Sequence, residues 1–336
     1  MIQIAEILLE QAPSPFWRIL NQVGVSHAVG VLPRRSFDWR GTAGERPWDY
    51  GPLALYKEHV EEASLTLSAI EDSPPMDNIR LGRAGREEEI EQFCTLVRNM
   101  GRLGIPVLCY NWMAVLGWIR TRVAVPGRGG ALVTAYDHAV FRGAPPTGVG
   151  TVSEEQLWQT LRSFLDRVIP VAEDAGVKLA MHPDDPPLSP IRGIARIMRS
   201  TEAFQRLVEL VPSEANGITF CQGNFRLMTD DVPRAIRQFG EQGKIYFVHF
   251  RDVRGTPEAF VETFHDEGQT NMLECMRAYR DIGFEGVLRS DHVPQLEGDT
   301  SDVPAYSRDA RLQAIGYITG LREAAYGASP RSTGQD

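Results

Sequence analysis

Short apolar runs alternate along this chain with longer stretches of helical periodicity, and several of the runs stop abruptly on polar residues. His27 to Leu32, Leu65 to Glu71, Ile105 to Tyr110, Lys178 to Met181, Gly217 to Cys221, Lys244 to Phe250 and Gly286 to Ser290 read as buried strands bounded by turn-forming or polar residues. A weaker run, Phe260 to Phe264, is the remaining strand candidate and comes seventh in chain order. Leu53 to Ala63, Glu87 to Met100, Ser153 to Ala175, Thr201 to Leu210, Val232 to Phe239, Asn271 to Ile282 and Arg308 to Ala325 carry helix signals. Ile90, Phe93, Val97 and Met100 share one helical face, and Ser153 opens a helix that Gly176 closes. Ile2 to Val23 reads as a helical lead-in broken by Pro13 and Pro15.

Strands separated mostly by helices imply parallel order, because each crossover needs about a dozen residues or more. The expected fold is a single α/β domain, a (β/α)8 barrel over residues 1–328 with long loops at its C-terminal face. An open doubly wound sheet is the competitor, but no G-x-G-x-x-G follows the first strand and no P-loop motif is present. Two connections stand out. Arg34 to Tyr50 carries Trp39, Trp48 and Tyr50, and reads equally as surface packing or as a lid over a pocket. Gly117 to Gly150 is glycine-rich without a long periodic element, so it is expected to be functional or mobile. The polar tail Ser329 to Asp336 is expected to be disordered.

Composition narrows the partners. The 336 residues suit a barrel with insertions, and 43% hydrophobic with 24% charged residues allows a large core. A formal net charge of −9 argues against non-specific nucleic-acid binding, although a metal and a few arginines can reverse the potential locally. The N-terminal stretch has Glu6 and Glu10 in its apolar part and no basic leader, and no apolar stretch is long enough for a bilayer. Cys94, Cys109, Cys221 and Cys275 form no close CxxC pair, so a reduced, cytoplasmic setting is expected, without membrane partners.

The chemistry collects at strand ends. Val177 to Met181 runs into His182-Pro183-Asp184-Asp185-Pro186-Pro187, and three later runs end at Cys221, His249 and Asp291. In a parallel barrel these ends converge on one face. Singly, a cysteine there is more often a small hydrophobe, a histidine a satisfied polar residue, and an aspartate a cap. Together, two imidazoles, a thiolate and a carboxylate suit a borderline divalent ion such as Mn²⁺, Fe²⁺, Co²⁺ or Zn²⁺. Asn111, Asp184, Asp185, Arg251, Asp252 and His292 lie at the same ends. Asp184 and Asp185 could orient His182 or cap a helix; Arg251, two residues past His249, suits a carboxylate or pairs with an acid on the rim.

These stretches resemble the mannonate dehydratase family of xylose-isomerase-like TIM barrels. The resemblance rests on Cys109-Tyr110-Asn111-Trp112-Met113 with Arg120-Thr121, on His182 to Pro187, on Thr219-Phe220-Cys221-Gln222-Gly223, and on Phe247-Val248-His249-Phe250-Arg251-Asp252. It continues through Phe260-x-Glu262-x-x-His265-x-x-Gly268-x-x-Asn271-Met272, Ser290-Asp291-His292 and Tyr306. It implies a metal-dependent hydro-lyase that converts D-mannonate to 2-keto-3-deoxy-D-gluconate, with Mn²⁺ or Fe²⁺ bound by His182, Cys221, His249 and Asp291. It implies proton transfer by His292 and Tyr306, with Arg251, Asn111, Asp184 and Asp185 as substrate contacts. A homo-oligomer is also expected, since such barrels commonly assemble. Departures from the family pattern fall at Gly117, Val293-Pro294-Gln295 and Gly30-Val31-Leu32-Pro33, expected on the sugar side of the pocket. They leave a related sugar acid open as substrate. An isomerase or epimerase of the same barrel class and a non-catalytic sugar-acid binder are the alternatives; the isomerases generally carry carboxylates where His182 and Cys221 stand here.

Overall fold

Strands buried on both faces cannot alternate between apolar and polar, and that is how eight runs of this chain are built. In the computed structural model, which describes residues 1–10, 12–34, 44–299 and 301–327, twelve strands occur among the described residues. They are β1 (Gln3–Leu8), β2 (His27–Gly30), β3 (Thr66–Glu71), β4 (Val107–Asn111), β5 (Arg122–Pro126), β6 (Leu132–Asp137), β7 (Lys178–His182), β8 (Asn216–Cys221), β9 (Ile245–Phe250), β10 (Val253–Thr256), β11 (Ala259–Glu262) and β12 (Val287–Ser290). Eight of them close a parallel barrel in the order β1-β12-β9-β8-β7-β4-β3-β2. The expected (β/α)8 architecture is therefore present.

The alternation sorts side chains into two layers. Ala5, Ile7, Val29, Ala69, Val107, Cys109, Ala180, Phe247 and Val287 fill the barrel interior. Ile4, Leu8, Leu67, Leu108, Leu179, Phe220, Val248 and Leu288 point outward into the larger core shared with the helices. Observed helices at Tyr50–Glu62, Arg86–Arg102, Glu154–Ala175, Thr201–Leu210, Val232–Gly240, Met272–Asp281 and Arg308–Tyr326 match the expected ones to within a few residues. The Ser153 hydroxyl accepts from the Gln156 amide at the start of its helix, and Gly176 ends that helix in the left-handed region at φ 67°.

Three expectations are corrected. The lead-in is not one helix: Gln3–Leu8 is the first barrel strand, and only Pro15–Gln22 is helical. A continuous apolar run reads as strand or helix alike, and here pairing with β2 and β12 decides. Phe260 to Phe264 is not a barrel strand, since β11 pairs antiparallel with β6 and β10. Gly117 to Gly150 is not structureless either: it supplies β5 and β6, which complete a separate four-stranded sheet ordered β10-β11-β6-β5.

Of the aromatic connection, positions 35–43, including Trp39, lie outside the described residues, as does the 329–336 tail. Trp48 and Tyr50 pack sideways: the Trp48 carbonyl accepts from Asn99 Nδ2 at 3.0 Å, and Arg102 lies 4.3 Å from the centre of the Tyr50 ring. No helix among the described residues is long and apolar enough to cross a membrane.

Candidate active site

Four neighbouring barrel strands, β7, β8, β9 and β12, deliver the expected ligands to one place. His182 and Cys221 are the last residues of β7 and β8, His249 stands one residue before the end of β9, and Asp291 directly follows β12. His182, Cys221 and His249 bring ligand atoms within 4.8 Å of one another. Asp291 Oδ2 lies 3.6 Å from His249 Nδ1 and 3.8 Å from Cys221 Sγ.

The surroundings fix what each ligand presents. His182 Nδ1 lies 2.7 Å from the Pro183 carbonyl oxygen, which can only accept, so Nδ1 carries the proton and Nε2 keeps the lone pair. His249 Nε2 lies 3.2 Å from Glu71 Oε2, while its buried Nδ1 has no hydrogen-bond partner. Burial alone would raise the Cys221 thiol, but Arg251, His182 and His249 outweigh it and bring the group down to about 5. Burial also opposes the Asp291 charge, yet His292, Arg289 and His249 hold its carboxyl well below the usual range. A thiolate, a carboxylate, an imidazole Nε2 and an orphaned Nδ1 at close range fit a divalent ion of borderline softness.

Two further groups stand against Asp291. The Tyr306 hydroxyl donates to Asp291 Oδ1 at 3.1 Å, and His292 Nε2 lies 3.7 Å from the same oxygen. The two rings meet edge to face at 5.7 Å. His292 has φ 38°, a left-handed conformation that a histidine holds only when its surroundings impose it. Its Nδ1 lies 2.6 Å from Arg251 Nη1 and 3.0 Å from Glu262 Oε1; a given tautomer makes one of these contacts a hydrogen bond. On the other side, Trp118 covers the imidazole at 4.9 Å between ring centres.

Beneath His292 lies a buried ionic cluster. Arg120 grips Asp185 with a two-pronged contact of 2.6 and 3.0 Å and also reaches Glu262. Arg251 donates from Nη2 to Asp185 at 2.7 Å and also contacts Glu262 and Asn224, while its Nε sits 3.2 Å from Cys221 Sγ and 3.1 Å from Asp291 Oδ2. Burial would raise the Asp185 and Glu262 carboxyls, but the two guanidiniums outweigh it and keep both ionised. Since Glu262 belongs to β11 and Arg120 precedes β5, the antiparallel sheet is clamped to the floor of the site through these charges.

A cavity of about 270 Å³ opens above, lined by Glu71, Asp72, Ser73, Cys109, Tyr110, Asn111, Met113, Trp118, His182, Asp185, His249, Asp291, His292 and Tyr306. The expected metal set, apart from buried Cys221, and both expected proton-transfer residues thus face one space. Asn111 faces it too, with its Oδ1 fixed by Arg80 Nη2 at 2.9 Å and by the Met113 amide at 3.1 Å. Asp184 and Arg251 do not line it, in contrast to the expectation. Asp184 is fully buried, accepts from the Met198 amide at 2.7 Å and faces Arg196. Arg251 is fully buried and committed to Cys221 and the acids around it. Asp252 is likewise occupied, accepting from the Thr270 amide and hydroxyl.

The departures from the family pattern also lie off the cavity. The Gly117 carbonyl accepts from Arg196, the Leu32 amide donates to Asp72, and Val293 packs with Ala310 and Ala314. Glu71, Arg289, Glu262 and Trp118 went unassigned in the sequence. The rule that singled out His182 and Cys221, a polar residue closing a barrel strand, applies equally to Glu71.

The chain matches the family model described as D-mannonate dehydratase (UxuA) over residues 20–150 and 147–331. A mannonate dehydratase of Thermotoga maritima is 36% identical, the alignment covering 90% of this chain and 91% of that one. The mannonate dehydratase of Enterococcus faecalis is 35% identical over 92% of this chain and 94% of its own. Among solved structures, the mannonate dehydratase from Streptococcus suis serotype2 superposes with a TM-score of 0.88 at 30% identity, covering 100% of this chain and 99% of that one. An L-ribulose 3-epimerase, at TM-score 0.60 and 16% identity over 99% of this chain and 100% of its own, shares the barrel fold. By its sequence and its fold, this chain belongs to the D-mannonate dehydratase (UxuA) family.

Proposed function

We propose that this chain is a metal-dependent hydro-lyase that removes water from D-mannonate to give 2-keto-3-deoxy-D-gluconate. Its family membership supports the reaction, and the observation that carries the site is the meeting of His182, Cys221, His249 and Asp291 at neighbouring strand ends, with His292 and Tyr306 beside Asp291 on the same cavity. His182, Cys221, His249 and Asp291 would hold the ion, Mn²⁺ or Fe²⁺ in preference to Co²⁺ or Zn²⁺. When bound, that ion supplies Lewis-acid stabilisation for the negative charge that develops next to the substrate carboxylate.

The elimination itself then requires the protein's own groups to move two protons. The C2–H bond gives its proton to a base, and its electron pair becomes the C2–C3 double bond. The C3–O bond breaks with its pair, and the departing hydroxyl takes a proton and leaves as water. The resulting enol then tautomerises, giving up its O2–H proton as C3 gains one, and becomes the 2-keto acid. Tyr306, already an O–H donor at the site, suits protonation of the leaving hydroxyl, and His292 suits the base. Asn111, with its oxygen anchored by Arg80, offers its NH2 group to a substrate oxygen. Trp118 screens the His292 ring from water.

The test is an assay of Mn²⁺-loaded protein against a panel of hexonates, reading 2-keto-3-deoxy acid formation, with a chelated control. Turnover of D-mannonate that vanishes on chelation is the expected result. Turnover of a different hexonate instead overturns the substrate, and isomerisation without water loss overturns the reaction class. The same reading carries a reduced cytoplasmic setting, in which Cys94, Cys109, Cys221 and Cys275 stay out of disulfides, and a homo-oligomeric assembly. Full activity at a monomeric elution volume would remove the assembly.

A further inference from the structure

His249 is shared by two adjacent groups of donors. One is the cage with His182 and Cys221; the other combines His249 with Glu71 and Cys109, whose ligand atoms also lie within 4.8 Å of one another. An imidazole has one lone pair when neutral, so His249 serves one group or the other, and its tautomer decides which.

We propose that Glu71, gripped by Arg289, positions His249 so that Nδ1 rather than Nε2 meets the cation, placing the ion with His182, Cys221 and Asp291 instead of in the Glu71–Cys109 recess. The inference rests on the metal-dependent reading above and adds to it a positioning residue. Arg289 Nε and Nη2 each lie 2.8 Å from a Glu71 oxygen, a two-pronged pairing that fixes the plane of the carboxylate. Glu71 Oε2 then stands 3.2 Å from His249 Nε2 and accepts its N–H. The nitrogen left over, Nδ1, is buried without a hydrogen-bond partner and faces Asp291 Oδ2. The same guanidinium reaches Asp291 Oδ1 through Nη1 at 3.0 Å, leaving Oδ2 on the cage side. One arginine thereby orients both an imidazole ligand and a carboxylate ligand.

The competing recess offers fewer free donors. Both oxygens of its carboxylate are held by Arg289, and Oε2 also faces His249 Nε2. The Thr219 hydroxyl lies 3.1 Å from the Cys109 sulfur, and burial pushes that thiol well up, so it stays protonated. Carboxylate–imidazole pairs behind metal-ligating histidines typically change metal affinity by about 10- to 100-fold when broken.

The experiment titrates metal-free protein with Co²⁺ against a competing chelator, reading both the dissociation constant and the absorption of the bound ion. In the wild type, thiolate-to-cobalt charge transfer is expected, lost in Cys221→Ser and kept in Cys109→Ser. Glu71→Ala is expected to raise the dissociation constant by roughly 10- to 100-fold with a changed ligand-field spectrum. Glu71→Gln, isosteric and still an acceptor for the His249 N–H, should recover part of the loss and guards against a misfolded alanine variant. Wild-type affinity and spectrum in both Glu71 variants would overturn the positioning role while leaving the cage intact. Charge transfer that follows Cys109 instead of Cys221 would put the ion in the recess and overturn it as well. A wild type that takes up no Co²⁺ would overturn the metal reading and this inference with it.

Discussion

His292 is held in a backbone conformation that histidine rarely adopts, with Trp118 on one side and Glu262 on the other, so its chemistry and its fold are separable by a small change. His292→Asn should keep bound metal at the wild-type level and slow turnover by about 100-fold or more, as expected of an acid–base residue. Metal analysis beside a steady-state assay checks it, and wild-type turnover would shift the base elsewhere. His265 makes a different case. Its ring is buried, neither nitrogen has a hydrogen-bond partner, and burial lowers its pKa to about 4 against the pull of nearby Asp291 and Glu262. In the unfolded chain it titrates near about 6.5. Below that value the unfolded chain binds a proton that the folded chain refuses, so stability is full above about pH 6.5. It then falls by roughly 3 kcal/mol in total as pH drops to about 4. Thermal melts of metal-free wild type and His265→Gln should diverge in that window, and parallel curves would remove the assignment. What the sequence reveals at this scale is the set of residues that close strands. His182, Cys221, His249 and Asp291 are legible because each ends an apolar run. Arg251 and Asp184, expected against the substrate, are buried against Glu262 and Arg196, pairings that no local pattern of the sequence announces.

Between elements, close approach decides more than propensity. The Arg86–Arg102 and Glu154–Ala175 helices touch at Gly101, where an added Cβ would lie 2.4 Å from the Ala175 carbonyl oxygen. Helix propensity alone says that Gly101→Ala stabilises by about 1 kcal/mol. The contact is with backbone and cannot yield, so the net effect should be a loss of about 1–3 kcal/mol. A raised melting temperature in this variant would refute the packing argument. Seven barrel strands and the principal helices are legible from periodicity, since each is a local pattern. β1 is not, because its run has no polar face to report its period; even Glu6 is buried, paired with Ser290 and Arg311. The antiparallel sheet is not legible for another reason. β6 and β11 pair across more than a hundred residues of chain, and nothing within Gly117 to Gly150 announces a partner beyond β9.

Over the whole molecule, a buried ion pair ties the last helix to the first strand of the closed barrel. Arg311, on the last helix, donates from Nε to Glu6 on the first strand at 3.1 Å and also reaches the Ile7 carbonyl. Arg311→Met keeps the volume but leaves Glu6 buried without its cation, which costs about 3–5 kcal/mol. Chemical denaturation of this variant should show that loss, and a change below about 1 kcal/mol would mean that the helix is held to the first strand by packing rather than by this pair. The order of strands around the barrel has a wider consequence. The four ligand-bearing strands form one unbroken arc, β12-β9-β8-β7, whereas the facing wall of the cavity, from Glu71 to Met113, comes from β3, β4 and the loops after them. The arc of the proposed metal ligands is thus written in the later half of the chain and the facing wall of the cavity in the first third. Glu71, which stands against His249, ties the two together; elsewhere in the early wall a change of side chain can alter what the cavity accepts while the four strand ends stay in place.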